Sequence, residues 1–494
     1  MTRITGKHMI TNPFMDEDDH LKEECGVFGI VGDPEAAAHT ALGMHALQHR
    51  GQEAAGMVTF DGQQFYSHRG LGHVSENFNS DTVMERLKGH AAVGHTRYST
   101  TGETILRNVQ PLFAEYEFGG FAIGHNGNLT NALTLRRELQ RQGCLFQSTS
   151  DTEVVTHLIA RNEATTIEDR FVDALRQIEG AYSFVCLTND SVIGARDPLG
   201  VRPLVLGKLD GAHILCSETC ALDIIGAEFI RDIQPGEVVV LSNGTIRSLH
   251  PFPKQSPRFC IFEYIYFARP DSTADGHNVY EVRKRIGAEL AKESPTDCDV
   301  VVPVPDSGVP AALGFAAAAG IPFEYGIIRN HYVGRTFIQP TDKTRHLGVK
   351  RKHNPNREVL DGRRVVLVDD SIVRGTTSTK IVNMVRQAGA KEVHLRISSP
   401  PTAHPCFFGI DTPSREKLLA AQFDVAAMAK LLDVDSLAFI SIDGLYRAVN
   451  EPCRKADRPQ YCDACFTGEY PLPLTDQNTG TMPKQLSLLN EERL

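Results

Sequence analysis

The sequence predicts two domains of different construction in succession: an α+β domain over 25–250 and an α/β domain built on a parallel sheet over 258–470. Three observations predict this. Residues 25–250 show short β-type runs broken by Gly-rich turns, with few helices. From about Cys298 the pattern becomes strand–loop–helix, with Val/Ile/Leu-rich strands of the kind that are buried on both faces. Between them His250 to Pro257 carries three prolines and reads as a linker.

In chain order, residues 1–24 are acidic and polar and read as a leader. Val27–Val31, Gly56–Phe60, Phe121–Gly124, Tyr182–Leu187 and Glu237–Leu241 are predicted strands. Pro34 to Leu47 is a predicted helix, with Pro34 near its start and apolar residues at Ala38, Leu42 and Leu47. Leu133 to Gln142 is a second. In the other half, Val300–Val302, Arg364–Val368 and Lys391–Ile397 are predicted strands, with helices through Ala311–Ala319 and from Thr377 to about Gln387. The polar segment Asn330 to Arg357 is a long loop inside an α/β domain, the kind that usually carries function. The tail 471–494 reads as irregular.

Composition narrows the class. An apolar fraction of 41% suits globular cores, and the net charge of −10 is spread without a basic block, which argues against nucleic-acid binding. No apolar run approaches the ~18 residues of a membrane span. The N-terminal segment has neither a signal-type apolar stretch nor transit-peptide composition. A cytoplasmic protein is expected, in which eleven cysteines serve metal binding, catalysis or burial in preference to disulfides.

Cys25 opens the apolar run Cys25–Val31 directly after the acidic stretch Asp16 to Glu24. A cut between Glu24 and Cys25 would make this cysteine the N-terminus. Its α-amino group, with a pKa of about 8, would then serve as base for its own thiol. Downstream come four polar clusters: His49-Arg50-Gly51-Gln52-Glu53, Gly94 to Thr100, Gly124-His125-Asn126-Gly127-Asn128-Leu129, and Ser150-Asp151-Thr152-Glu153. They supply what glutamine hydrolysis needs. A thiolate attacks the side-chain amide, Asn126 and the Gly127 N–H can hold the oxyanion, and Asp151 and Arg97 can grip the amino-acid end.

The sharpest signal is Val365-Val366-Leu367-Val368-Asp369-Asp370-Ser371-Ile372-Val373-Arg374-Gly375-Thr376-Thr377. An apolar strand ends in two carboxylates, and a Gly/Thr-rich turn then opens a helix. Backbone N–H groups and the hydroxyls of Ser371, Thr376 and Thr377 there suit a phosphate, and the carboxylates suit ribose hydroxyls or Mg²⁺. Cys462-Asp463-Ala464-Cys465, Cys260 and Cys406 are four further thiols. By count they could bind zinc or an iron–sulfur cluster equally well.

The Asp369-Asp370 string resembles the phosphoribosyl-pyrophosphate (PRPP) loop of type I phosphoribosyltransferases. That resemblance implies that Asp369 and Asp370 hold ribose and Mg²⁺, that Ser371, Arg374, Gly375, Thr376 and Thr377 cradle the 5′-phosphate, and that Ser307 in Val304–Gly308 lies near Mg²⁺. It also implies that the loop around Arg335 and Lys343 closes over PRPP. The clusters after Cys25 resemble the glutaminase domain of N-terminal-nucleophile amidotransferases, whose fold is a layered α/β/β/α sandwich. In that family Arg50, Arg97, Asn126, Gly127 and Asp151 match glutamine-site positions.

A glutaminase followed by a PRPP domain, joined by Phe262 to Ser272, resembles the amidophosphoribosyltransferase family over nearly all of 25–470. The implied reaction moves ammonia from glutamine, by an internal path, to C1 of PRPP. The products are 5-phosphoribosylamine, pyrophosphate and glutamate, at the first step of de novo purine synthesis. One branch of the family has a cleaved leader and a [4Fe–4S] cluster. The leader and Cys260, Cys406, Cys462 and Cys465 place this chain in that branch. A homotetramer inhibited by purine nucleotides is also implied, and Tyr98, Tyr264 and Tyr266 are candidates for signalling between the domains. Two rivals remain. A glucosamine-phosphate or asparagine amidotransferase would share the first domain, but the Asp369-Asp370 loop argues against it. A non-catalytic PRPP-binding regulator would tolerate loss of Cys25.

Overall fold

The computed structural model describes residues 22–23, 25–98, 105–242, 244–330 and 353–478. It divides into two compact units. The first comprises the described residues of 22–282, 404–413 and 454–478; the second comprises those of 283–403 and 414–453.

The first unit is built on two antiparallel sheets. One has seven strands in the order Glu228–Asp232, Val205–Leu209, Ala212–Cys216, Gly26–Val31, Ala91–Arg97, Ala54–Phe60, Phe65–Leu71. The other has six, in the order Thr245–Leu249, Val238–Ser242, Ser191–Arg196, Gly180–Leu187, Gly119–Leu129, Leu112–Tyr116. Their facing sides share a core of Val27, Val58, Val93, Ala122, Val185, Leu187, Val192 and Val239. Gly29 lets the sheets approach there, since a Cβ on it would stand 2.5 Å from the Val185 side chain. The helix Ala36–Ala46 covers the outer face of the first sheet through Ala36 and Met44, packed with Phe28 and Ile30. The helices Ala132–Arg141, Thr152–Arg161 and Ile167–Leu175 cover the second through Leu139, Val155, Ile159 and Phe171. This is the expected α/β/β/α layering.

The second unit carries a four-stranded parallel sheet, ordered Val300–Pro303, Arg364–Asp369, Glu392–Ile397, Ser436–Phe439. The strands Val300–Pro303 and Arg364–Asp369 are almost wholly buried, as continuous apolar runs require, while Ser436–Phe439 at the edge is half-buried. The helix Thr376–Gln387 packs on it through Ile381, Val382, Met384 and Val385, at helical spacing.

Every predicted strand and helix above exists, with ends shifted by a few residues. Two readings differ from the structure. The linker does not end the first unit, because residues 258–282, 404–413 and 454–478 pack with it. The four cysteines therefore lie in the glutaminase unit, where the sequence placed them with the second domain. The tail is also not wholly irregular, since Thr475–Asn478 forms a helical turn. Most of the leader, the loop around Arg335 and Lys343, and residues 479–494 lie outside the described residues. Among the described residues no helix is long and apolar enough to cross a membrane.

Candidate active site

Cys25 stands at the head of the central strand Gly26–Val31, almost fully buried, with a left-handed backbone (φ 67°) that is costly for a non-glycine residue. Its Sγ lies 3.7 Å from the Tyr98 carbonyl oxygen. Just before it, Lys22 and Glu23 pair antiparallel with Asp411 and Ile410. Gly26 and Val27 pair with Thr96 and His95, and the His95 imidazole bonds the His125 carbonyl at 3.0 Å. Cys25, Arg97 and the Asn126-Gly127 stretch of the strand Gly119–Leu129 are thereby brought to one end of the sandwich. Burial pushes the His95 imidazole down to about 3, so it is neutral and Nε2 donates this bond.

Asn126 is fully buried, and neither its Nδ2 nor its Oδ1 has a protein partner. A buried carboxamide left open on both atoms is unusual and suits a group that bonds a transient oxyanion. Gly127 has φ 143°, and a Cβ there would lie 2.1 Å from the Ala181 carbonyl oxygen. Asp151 accepts from the Leu129 and Thr152 N–H groups and lies 3.7 Å from His125 Nδ1. Burial pushes its carboxyl up, but the His125 imidazole and these N–H groups outweigh that and hold it below the usual carboxylate range. Asp151 lines a cavity of about 100 Å³ together with Asn128, Arg136, Phe407 and Asp476. Asp476, from the tail, closes that wall: its carboxylate accepts from the Leu133 and Thr134 N–H groups at 2.8 and 3.0 Å.

Arg50 is placed differently from the other glutamine-site candidates. Its guanidinium is fully buried and committed to two carboxylates, with Nε on Glu218 and Nη2 on Glu263 at 2.8 Å. Glu218 also accepts from His49 Nε2 at 2.6 Å, the Arg269 N–H at 2.9 Å and Ser272 Oγ at 2.7 Å. Arg202 adds a contact to Glu263 at 3.1 Å. Burial pushes the Glu218 carboxyl up, yet Arg50 and His49 overcome this and hold it well below the carboxylate range. Sequence reasoning missed Glu218, Glu263 and Asp476. Glu218 and Asp476 sit in no motif, Glu263 lies in the joining segment Phe262 to Ser272 where nothing signals its pairing, and the partners of all three are distant in sequence.

In the second unit Asp369, Asp370 and Ser371 are buried at the end of the strand Arg364–Asp369. Asp370 accepts from Ser307 Oγ at 2.6 Å and from Ser371 Oγ at 2.5 Å. Its own N–H donates to Asp369 Oδ1 at 2.9 Å. Gly375, with φ 81°, turns the chain into the helix that Thr376 and Thr377 open, so Arg374 to Thr377 surround its N-terminus. The loop with Ser307 starts at Val304, whose N–H donates to the Val368 carbonyl. The two predicted loops thus converge on Asp370. Paired carboxylates beside a helix N-terminus match a magnesium-bound sugar phosphate.

Cys260 and Cys462 are direct partners in the short parallel ladder of Phe259–Cys260 with Tyr461–Cys462. The His404 N–H donates to the Cys465 carbonyl at 3.1 Å, bringing the Cys406 segment alongside. Burial pushes the Cys260 thiol up to about 12 and raises the Cys462 and Cys465 thiols well above the ordinary range, and Cys260 and Cys406 each raise the two C-terminal thiols. Four cysteines from three chain segments thus share one neighbourhood. Among the described residues no group of three or more His, Cys, Asp or Glu has the spacing for a single metal ion. Tetrahedral zinc would need sulfurs about 3.8 Å apart.

The two sites define a glutamine amidotransferase domain joined to a phosphoribosyltransferase domain. Family models agree: a "Glutamine amidotransferase domain" matches residues 95–223 and a "Phosphoribosyl transferase domain" residues 271–398. An amidophosphoribosyltransferase of Rhizobium etli is 61% identical over 96% of this chain and 97% of its own length. One from Bacillus subtilis is 48% identical over 92% of this chain and 95% of its own. The solved glutamine PRPP amidotransferase of B. subtilis, complexed with ADP and GMP, superposes with a TM-score of 0.86 at 47% identity, covering 91% of this chain and 98% of that one. The chain belongs to the amidophosphoribosyltransferase family. It hydrolyses glutamine and transfers the ammonia to C1 of PRPP, giving 5-phosphoribosylamine, pyrophosphate and glutamate in purine biosynthesis.

Proposed function

We propose that the chain is made as a precursor, cut between Glu24 and Cys25, and that it belongs to the iron–sulfur branch of its family. The observation that carries the first part is the left-handed Cys25 at the junction of leader and central strand. Strained backbone of this kind concentrates at functional points. Once cut, the Cys25 α-amine takes the thiol proton and the thiolate attacks the amide carbon of glutamine. Asn126 Nδ2 and the Gly127 N–H stabilise the oxyanion. Ammonia leaves, and water releases glutamate from the thioester. Asp151 binds the substrate ammonium and Arg97 its carboxylate. Arg50 acts by positioning: a Cβ on Gly51 would lie 2.6 Å from the Arg97 backbone nitrogen, so the chain beside Arg50 sets the Arg97 strand.

In the second unit Asp369 and Asp370 hold the ribose hydroxyls and Mg²⁺, with Ser307 beside the metal, while Ser371 and Arg374 to Thr377 hold the 5′-phosphate. Magnesium supplies charge neutralisation for the departing pyrophosphate. Cys260, Cys406, Cys462 and Cys465 hold a [4Fe–4S] cluster. The crowding of four mostly buried thiols supports this, and a bound cation would reverse the pressure that keeps them protonated. Its role is to tie the chain segments carrying these cysteines together. Composition of the N-terminal segment supports action in the cytoplasm. Family likeness supports a homotetramer and inhibition by purine nucleotides, and the PRPP loop suits a ribose 5′-phosphate. Tyr98, whose carbonyl faces the Cys25 thiol, is the residue we expect to relay PRPP binding to the glutaminase.

Mass measurement and metal analysis of anaerobically purified protein test the branch. The expected protein begins at Cys25 and contains iron and acid-labile sulfide in equal amounts. An intact leader on active enzyme, or zinc without sulfide, would overturn it.

A further inference from the structure

We propose that Ser183 is a positioning residue for glutamine hydrolysis, donating its hydroxyl to the Asn126 side-chain oxygen and so aiming Nδ2 at the reacting carbonyl. This rests on the oxyanion role of Asn126 given above. Asn126 and Ser183 are direct cross-strand partners on Gly119–Leu129 and Gly180–Leu187. Such partners project from the same face, with Cβ atoms about 5 Å apart. Ala122, Val185 and Leu187, at alternate positions on these strands, mark that face as the one turned to the other sheet. Gly124, two residues before Asn126, stands opposite the Val27 side chain, two residues after Cys25. The pair therefore lies in the inter-sheet layer that contains the strand headed by Cys25.

Both side chains are fully buried, and Asn126 Nδ2, Asn126 Oδ1 and Ser183 Oγ all lack protein partners. The needs of these atoms are complementary. If Nδ2 serves the oxyanion, Oδ1 requires a donor, and the Ser183 hydroxyl is an uncommitted donor within reach by rotation about χ1. A carboxamide held only through Nδ2 could flip its two ends. A donor on Oδ1 removes that freedom.

The experiment is a double-mutant cycle on the processed enzyme, read as glutaminase kcat and KM, with ammonia-dependent pyrophosphate release as control. Asn126→Ala is expected to lower glutaminase kcat by about 100-fold or more. Ser183→Ala should lower it by about 3- to 10-fold, the range of one hydrogen bond. KM for glutamine and ammonia-dependent activity should not change. In the Asn126→Ala background, Ser183→Ala should cost nothing further. Losing one buried hydrogen bond should lower the melting temperature of Ser183→Ala by no more than a few degrees, so a fall in kcat at assay temperature is not unfolding. If Asn126→Ala has its full effect and Ser183→Ala leaves kcat unchanged, the inference is wrong. An equal cost of Ser183→Ala in both backgrounds would also overturn it. If Asn126→Ala is itself silent, the oxyanion reading fails instead.

Discussion

Asp370→Asn is expected to lower pyrophosphate release from PRPP by at least about 100-fold with either nitrogen donor. The basal hydrolysis of glutamine should remain. Asp370 is fully buried and receives hydroxyls from both loops, Ser307 from one and Ser371 from the other. The amide keeps the shape and loses the charge. It also exchanges one acceptor atom for a donor, which faces a hydroxyl. The sugar becomes cationic as pyrophosphate leaves, so a fixed negative charge beside it counts far more in the transition state than in bound PRPP. The fall should therefore lie in kcat as well as in KM. Retention of near wild-type turnover would remove Asp370 from the reaction and leave its carboxylate a purely structural acceptor.

Arg50→Ala is expected to be among the most destabilising single changes in the first unit. It strips the cation from between two buried carboxylates, Glu218 and Glu263. Breaking one side of a buried pair costs about 3–5 kcal/mol, since the remaining charges stay out of water. For a unit of this size that lowers the melting temperature by roughly 10 °C. Arg50→Lys should recover little, because a single ammonium cannot bridge two carboxylates as the guanidinium does. The effect should depend on pH in a defined direction. The folded-state pKa of Glu218 is depressed, so its contribution is present above the unfolded glutamate value of about 4.3 and is lost as pH falls through the lower folded value. Thermal melts at neutral pH and at progressively acid pH check both statements. A variant as stable as wild type at pH 7 would show that the network is dispensable.

The legible parts of this fold were those in which one local pattern decides the outcome. Arg364–Asp369 is apolar because both its faces are covered, and the carboxylates and Gly375 that follow are dictated by the site. The strand after Cys25 was visible for the same reason. Ala91–Arg97 was not: it is wholly buried, yet it ends in the polar residues His95, Thr96 and Arg97, of which His95 bonds the His125 carbonyl through Nε2. The helix Thr152–Arg161 opens on the buried polar residues Thr152 and Glu153, which obscures its periodicity.

The candidate site shows the same division. Cys25, Asn126 and Asp151 stood in recognisable clusters, and the structure carries their strands and turns toward one end of the sandwich. Glu218, Asp476 and Ser183 matter through partners many residues away, and nothing local marks them; Glu263 lies in the joining segment Phe262 to Ser272, where nothing reveals its pairing with Arg50. The returns of 404–413 and 454–478 to the first unit were equally hidden. They depend on ladders only two residues long, such as Phe259–Cys260 with Tyr461–Cys462, which are too short to leave a pattern.

The most direct test is pyrophosphate release from PRPP and Mg²⁺, measured with glutamine or with ammonium as donor, for wild type and Cys25→Ala. Wild type should use both donors, and the variant should use ammonium alone. That result would assign glutamine hydrolysis to the Cys25 thiol and the transfer to the Asp370 site. Glutamine-dependent release by Cys25→Ala would contradict the account, as would the failure of correctly processed wild-type enzyme to release pyrophosphate with either donor.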